Sequence, residues 1–124
     1  MSQGKISLDW GGVFDILSIY NVKINICSGL KKEQNYQNFS RLESEIRGQI
    51  GIKLFNEIVS SKEYQDLYDA NLHTFKKVEE AQKDNGLAKE IDVANYQRFL
   101  KKAELQKKYF NSDLKEIKVG YKNE

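Results

Sequence analysis

The 124-residue sequence contains no proline, and this absence constrains its fold more than any other feature. Proline breaks a helix because it lacks the backbone N–H and its ring clashes with the preceding turn. Without that breaker, and with only 8 glycines, long uninterrupted helices are allowed along the chain. Apolar residues make up 40% and charged residues 31%, a balance typical of globular proteins that bury a core. We therefore expect an all-α fold, a bundle of about four helices, in a single domain spanning residues 1–124.

Apolar residues at helical spacing predict where the first two helices lie. The first helix is expected over Gly12–Ser28, where two faces are apolar and Asp9 can accept hydrogen bonds from the first turn. The second is expected to begin near Lys32. Gly48 and Gly51 are expected to bend or interrupt it before a shorter apolar piece that follows.

The second half of the chain predicts two further helices and a turn. The third helix is expected over Ser61–Lys83, opened by a capping box in which Ser60 and Glu63 satisfy each other's backbone amides. The fourth is expected over Ala88–Phe110. The Asn85-Gly86 turn between them is short, which predicts that these two helices are antiparallel neighbours.

Both ends of the chain alternate polar and apolar residues, as short strands do. Residues 5–8 and residues 117–121 show this pattern. We expect the two segments to pair as a small β-ladder that ties the termini together.

Composition and motifs exclude several classes of function. The net charge is only +2, and the 20 basic residues include three arginines, which argues against a nucleic-acid partner. Cys27 is the single cysteine and His73 the single histidine, so neither a disulfide nor a zinc site is expected. No nucleophile motif, phosphate-binding loop or metalloprotease motif is present. We expect a non-enzyme that uses no cofactor.

The expected location of the protein is the cytoplasm. Residues 1–9 lack the basic and apolar regions of a signal peptide, and no 18-residue uncharged run predicts a membrane span. Self-association is also expected, with a homodimer as the commonest form. This expectation rests on the two-sided apolar first helix and on 14 aromatic residues, namely 6 Phe, 7 Tyr and 1 Trp.

Several polar residues lie among the apolar residues of the predicted helices. Ser18 shares one side of the first helix with other small polar residues, and we expect that side to face water; Asp15 is expected to interact with the positive end of the helix dipole. Asn71 lies within the apolar stripe of the third helix, where it either bonds to another helix or binds a ligand. Arg98 either makes an exposed salt bridge or binds an anion through its planar guanidinium.

The sharper hypothesis is a cationic, amide-rich pocket between the first, third and fourth helices. Such a pocket suits a small anionic ligand, a nucleotide or a sugar phosphate. Its expected residues are Lys23, Asn71, Asn95, Arg98 and Lys102, with Tyr20, Tyr68 and Tyr96 supplying stacking surfaces or hydroxyl groups. The alternative is a protein–protein interaction module that has no small ligand, in which the polar residues fix the register between helices.

Four pieces of the sequence carry a resemblance to a known family. They are Gly12-x-x-Asp15-Ile16-Leu17-Ser18-Ile19 with Lys23, Asn71 with Phe75, Asn95-x-x-Arg98 with Lys102, and Glu116-Ile117-Lys118. Together they resemble a small uncharacterised helical family of bacterial and phage proteins. The chain departs from that family's pattern at Ile16, where the family has lysine, and near Phe75, where it has tryptophan. The resemblance implies a helical fold and a role for the same polar residues. A phage accessory or anti-defence protein that sequesters a host signalling nucleotide would fit it.

A second resemblance is to the helical chorismate mutases. Their first helix also carries an aspartate, an apolar run and a downstream cation. Those enzymes surround a dianion with several arginines and lysines, whereas this chain has three arginines, two of them on the second helix.

Overall fold

The computed structural model describes residues 9–83 and 88–110, and every regular element in that part of the chain is an α-helix. The helices are α1 (Trp10–Ile26), α2 (Gly29–Ile50), α3 (Ile52–Val59), α4 (Lys62–Lys83) and α5 (Ala88–Phe110). The all-α prediction is confirmed. The described part holds five helices where about four were expected, because the second segment is divided in two. The predicted strands at residues 5–8 and 117–121 lie outside the described residues.

The division between α2 and α3 occurs at Gly51. This residue has φ +92°, a conformation that residues with a Cβ rarely adopt, so a glycine is required there. Its N–H donates to the carbonyl of Arg47 and its own carbonyl accepts from Phe55, so the residue ends one helix and begins the next. The predicted interruption is therefore confirmed.

The connection between α1 and α2 is tighter than the sequence indicated. Helix α1 ends at Ile26, and α2 begins at Gly29, three residues before the predicted start at Lys32. Gly29 has a left-handed φ of +63° and is the first residue of α2. Because only two residues separate the helices, α1 and α2 form a helical hairpin.

The helix caps agree with the sequence in one case and differ in the other. Asp9 accepts from the N–H of Gly12 at 2.8 Å, as predicted for the start of α1. At the start of α4 the cap is Ser61, whose Oγ accepts from the N–H of Tyr64 at 3.1 Å. The predicted cap at Ser60 is wrong, since that residue ends α3.

The core is built around Phe14, whose side chain is completely buried. Its ring centroid lies 6.1 Å from that of Phe55 on α3, 6.4 Å from that of Tyr64 on α4 and 6.3 Å from that of Phe110 on α5. Trp10 stacks on Phe110 at 5.5 Å. We call these five residues the aromatic cluster. Each large side chain buried in this way stabilises the fold by roughly 1.5–3 kcal/mol.

Helices α4 and α5 run antiparallel, as predicted. Near one end of the pair Lys77 Nζ lies 3.0 Å from a carboxylate oxygen of Glu90, and near the other Lys108 Nζ lies 3.2 Å from Glu63. Helix α1 packs against α2, α4 and α5, and of its large apolar residues Ile16 and Ile26 stay exposed. None of the five described helices combines the length and the apolar character that a bilayer crossing needs.

The first turn of α1 lies in direct contact with α5. The N–H of Gly11 donates to Oε1 of Gln106 at 2.7 Å. A Cβ at Gly11 would lie only 2.8 Å from the carbonyl oxygen of Lys102, so a larger residue would push the helices apart. This contact fixes the distance between α1 and α5 next to the side chains described below.

Candidate functional site

Helix α1 buries polar side chains on the side that faces α4 and α5. Asp15 is 6% exposed and Ser18 is fully buried. The prediction that Ser18 faces water is therefore wrong, whereas Asn25, farther along the same side of α1, is exposed. The difference arises because the neighbouring helices cover the middle of α1 and leave its last turn in solvent.

The buried carboxylate of Asp15 forms an ion pair with Arg98 of α5. Arg98 Nη2 lies 3.0 Å from Asp15 Oδ2, and Arg98 Nε lies 3.5 Å from Oδ1. The Asp15 side chain is 8% exposed and the Arg98 side chain 30% exposed. Asp15 was expected to serve the helix dipole, and Arg98 to make a surface salt bridge or bind an anion. Asp15 therefore pairs with a cation on another helix, and not with the dipole of its own helix. Arg98 makes a salt bridge, as one of its two interpretations held, but the carboxylate it pairs with is buried in the bundle.

Asn71 of α4 connects to the same carboxylate. Its Nδ2 donates to Asp15 Oδ1 at 2.9 Å and to Ser18 Oγ at 2.6 Å. Ser18 Oγ in turn donates to the backbone carbonyl of Asp15 at 2.9 Å. Of the two interpretations of Asn71, an amide bonded to another helix is therefore the one observed. On α5, Asn95 Oδ1 accepts from Arg98 Nη1 at 3.2 Å, which orients the guanidinium from its outer side.

We call Asp15, Ser18, Asn71, Asn95 and Arg98 the polar network. It joins α1, α4 and α5 through donors and acceptors that satisfy one another, as buried polar groups require. The hydrogen bonds to the Asp15 carboxylate of α1 come from Asn71 on α4 and from Arg98 on α5, so the network holds the three helices in one register.

A cavity of about 210 Å³ lies on the outer side of this network and opens to solvent. Its lining residues are Asp15, Asn95, Arg98, Phe99 and Lys102. Lys102 is partly buried, and its Nζ lies 5.9 Å from the centre of the Phe99 ring. Within residues 9–83 and 88–110, no carboxylate lies within 4.0 Å of the Lys102 ammonium. The cavity is therefore lined by the Asp15 carboxylate and the Arg98 guanidinium, which pair with each other, and by the Lys102 ammonium, which has no ionic partner in the described part.

The structure brings together half of the eight predicted pocket residues. Asn95, Arg98 and Lys102 line the cavity, and Asn71 lies behind it in the polar network. Tyr96 is 59% exposed and stacks on Phe99 at a centroid distance of 6.4 Å, next to the cavity.

The other three predicted residues do not line this cavity. Lys23 and Tyr20 are partly buried on α1. Tyr68 is partly buried on α4, where its hydroxyl accepts from Asn25 Nδ2 at 2.7 Å.

Two lining residues, Asp15 and Phe99, were missing from the predicted site, and both left a signal in the sequence. Asp15 lies between apolar neighbours in the middle of a helix, where a carboxylate requires a cation from another element. Phe99 follows Asn95 by four residues and precedes Lys102 by three, so the three side chains lie on one helical face. An acid in an apolar helix and a polar–aromatic–basic face are features that sequence analysis can search for.

The described residues contain no group of three or more His, Cys, Asp and Glu side chains that could hold a metal ion. The site consists instead of an ion pair and hydrogen bonds beside a small cavity that opens to solvent. No protein-family model, curated protein sequence or solved structure matches this chain. What the site can do therefore follows from its own chemistry.

Proposed function

We propose that this chain is a non-enzymatic helical protein that binds and sequesters a small anionic, nucleotide-like ligand in the cavity beside Arg98 and Lys102. The observation that carries the proposal is that Lys102 lines the cavity and its ammonium has no carboxylate within 4.0 Å among the described residues. A cation held beside apolar surface and only partly solvated attracts an anion more strongly than one in bulk water.

The guanidinium of Arg98 supports the same role in a different way. Its hydrogen bonds to Asp15 and Asn95 already fix the plane of the guanidinium. Ligand binding therefore does not have to order this side chain at a cost in entropy. Its charge is already paired with Asp15, so Arg98 offers its remaining N–H groups in a fixed orientation, and Lys102 supplies the charge that attracts the anion.

The aromatic surface beside the cavity gives the ligand its second contact. Phe99 is 55% exposed and Tyr96 is 59% exposed, and their rings stack at a centroid distance of 6.4 Å. Exposed aromatic rings beside cations are typical of sites that stack a planar or ring-shaped ligand. The cavity volume of about 210 Å³ lies below the ~300 Å³ at which sites for drug-sized ligands begin, so it suits a sugar phosphate or the part of a nucleotide that consists of one ring and a phosphate group.

The resemblance to bacterial and phage proteins indicates a biological role for such a binding site. A phage accessory protein that sequesters a host signalling nucleotide in the cytoplasm would need a binding cavity of this kind and no catalytic group. We also propose that the chain belongs to that family of bacterial and phage proteins. We further propose that residues 5–8 and 117–121 pair as strands and complete the helical domain.

Two adjacent lysines provide a matched test of ligand binding. Lys102 lines the cavity, whereas the neighbouring Lys101 does not and pairs with Glu104 at 3.7 Å. A panel of nucleotides and sugar phosphates should raise the melting temperature of the unmodified chain, because a ligand at one hundred times its Kd stabilises by about 2.7 kcal/mol. Lys102→Ala should remove most of that shift and Lys101→Ala should preserve it. Equal shifts in the two variants would contradict the proposal, as would no shift with any ligand.

A protein-interaction module remains the second candidate, because α5 exposes an apolar row. Val93, Tyr96 and Phe99 are 58%, 59% and 55% exposed at three-residue spacing. Under this proposal the row supports self-association, with a homodimer as the simplest form. Mass measurement by light scattering over a hundredfold range of protein concentration tests it, with Val93→Ser as the variant that should weaken association.

A further inference from the structure

The carboxylate of Asp15 is the feature of the cavity that anion binding alone does not explain. It lines the same space as Arg98 and Lys102, and it carries the charge that a phosphate would carry. A bare phosphate placed against the Arg98 guanidinium would lie close to the Asp15 carboxylate, which is paired with that guanidinium, and be repelled. A ligand that fills the cavity should therefore present a neutral hydrogen-bond donor to Asp15 and its negative charge elsewhere.

Asp15 retains the capacity to accept such a hydrogen bond. Its Oδ1 accepts from Asn71 and, at 3.5 Å, from Arg98 Nε, while Oδ2 accepts only from Arg98 Nη2 among the described residues. A carboxylate offers about four acceptor positions, so at least one remains for a ligand donor.

Asn95 supplies the complementary group next to Asp15. Its Oδ1 is occupied by Arg98, whereas its Nδ2 makes no hydrogen bond within residues 9–83 and 88–110. The wall of the cavity therefore combines an available acceptor on Asp15 with an available donor on Asn95. A hydroxyl group both donates and accepts, and adjacent hydroxyl groups on one ring match such a pair of side chains.

The remaining lining residues, Arg98, Phe99 and Lys102, indicate where the ring and the negative group of the ligand lie. Phe99 is 55% exposed, and the face of an aromatic ring is electron-rich, so it attracts the C–H groups of a saturated ring as well as flat aromatic rings. The charge of Arg98 is already balanced by Asp15, whereas Lys102 has no carboxylate within 4.0 Å in the described part. The negative group of the ligand therefore belongs at Lys102.

We infer that the ligand is a phosphorylated sugar whose hydroxyl groups bond to Asp15 and Asn95, whose ring packs on Phe99 and whose phosphate contacts Lys102. This inference rests on the anion-binding role proposed above and specifies the chemical class of the anion. The phosphorylated sugar is either a free sugar phosphate or the ribose phosphate part of a nucleotide, since both present the same groups.

Calorimetric titration of the full chain with four probes tests the inference. The probes are ribose 5-phosphate, adenosine 5′-monophosphate, ribose and inorganic phosphate. We expect ribose 5-phosphate to bind at least tenfold more tightly than either ribose or inorganic phosphate. Equal affinity for ribose 5-phosphate and the nucleotide indicates a free sugar phosphate, and at least tenfold tighter nucleotide binding indicates a nucleotide source.

Asn95→Ala is the variant that isolates the hydroxyl contacts. Asn95 is exposed, so its truncation should leave the fold intact. Loss of one hydrogen bond should weaken both sugar-containing ligands by roughly 2- to 10-fold and leave inorganic phosphate unchanged. Asp15→Asn, checked for folding by circular dichroism, should strengthen phosphate binding and reduce the preference for ribose 5-phosphate over phosphate.

The outcomes separate failure of this inference from failure of the proposed function. If inorganic phosphate binds as tightly as ribose 5-phosphate and Asn95→Ala changes neither, the cavity binds anions but the sugar assignment is wrong. If none of the phosphorylated probes binds, the proposed anion site is itself wrong.

Discussion

Helix α1 contributes to two buried regions of opposite chemistry, and their comparison shows how this bundle is specified. Through Trp10 and Phe14 it enters the aromatic cluster, which depends on shape and on area removed from water. Through Asp15 and Ser18 it enters the polar network, which depends on the pairing of individual atoms. Phe14 and Asp15 are consecutive residues, so a single turn of helix contributes to both.

The difference predicts how each region tolerates change. An apolar core accepts other side chains of similar volume, because dispersion and the hydrophobic effect are not directional. A buried carboxylate accepts no loss of a partner, because the remaining charge stays in a poorly solvating environment. The aromatic cluster should therefore supply most of the stability, whereas the polar network should define how α1, α4 and α5 align.

The largest expected effect is the loss of an aromatic ring from the cluster. Phe14→Ala should lower the free energy of unfolding by about 3–5 kcal/mol, because it removes a fully buried ring in contact with three others. Phe99→Ala is the matched control, since that ring is 55% exposed and its loss should cost less than about 1 kcal/mol. Urea titration of both variants measures the difference. Similar losses would show that the cluster is not the main source of stability.

The next largest effect should come from separating the ion pair. Arg98→Met should destabilise the chain by about 2–3 kcal/mol, less than for a fully buried pair because the Arg98 side chain is 30% exposed. The double variant Asp15→Asn with Arg98→Met should be more stable than Arg98→Met alone, because it removes the uncompensated charge.

Urea titration of both single variants and the double variant completes the cycle. Additive losses would contradict the ion-pair account of the polar network. An interaction free energy of at least ~1 kcal/mol between the two sites would support it.

This contrast also explains how much the sequence could predict. The helices followed from apolar spacing, and α5 was predicted with its observed ends at Ala88 and Phe110. The interruption at Gly51 could be predicted because it depends on the backbone conformation of one residue, a positive φ that glycine adopts readily. Asn71 was correctly singled out as a polar residue in an apolar stripe that needs a partner.

The partners of the polar residues did not follow from the sequence in the same way. Asp15 and Arg98 are 83 residues apart, and no local pattern states that the two share a contact. Ser18 was assigned to water because its neighbours on the wheel are polar, yet α4 covers that part of α1. Helix faces are encoded locally, whereas the pairing of one face with another depends on the packing of the whole bundle.

A third prediction concerns Tyr64, the polar member of the aromatic cluster. Burial raises the pKa of its phenol from the usual 10.0 to about 12, opposed by a weaker hydrogen bond from Asn21. Because the folded pKa is above the unfolded one, the stability that this group contributes is fully present below pH 10. It is lost as the pH rises from 10 to about 12.

The Tyr64→Phe variant isolates that loss. The unmodified chain should lose on the order of 2 kcal/mol of unfolding free energy relative to Tyr64→Phe between pH 9 and pH 12. Denaturant titration at several pH values measures the difference between the two curves. Parallel curves would mean that the phenol is solvated in the folded chain and that this side of the cluster is open to water.

The smallest expected effect is at Gly11, where the first turn of α1 meets α5 beside the cavity. Gly11→Ala places a Cβ 2.8 Å from the carbonyl oxygen of Lys102, and such overpacking typically costs about 1–3 kcal/mol. Alanine also favours the helix over glycine by roughly 0.5–1 kcal/mol, so the net loss should be about 1 kcal/mol. In Gly48→Ala nothing lies within 4 Å of the added Cβ, so only the gain in helix propensity remains. This variant should therefore stabilise the chain. If both glycine variants were stabilising, α1 and α5 would be farther apart than the Gly11–Gln106 hydrogen bond of 2.7 Å requires, and the cavity would lose its inner wall.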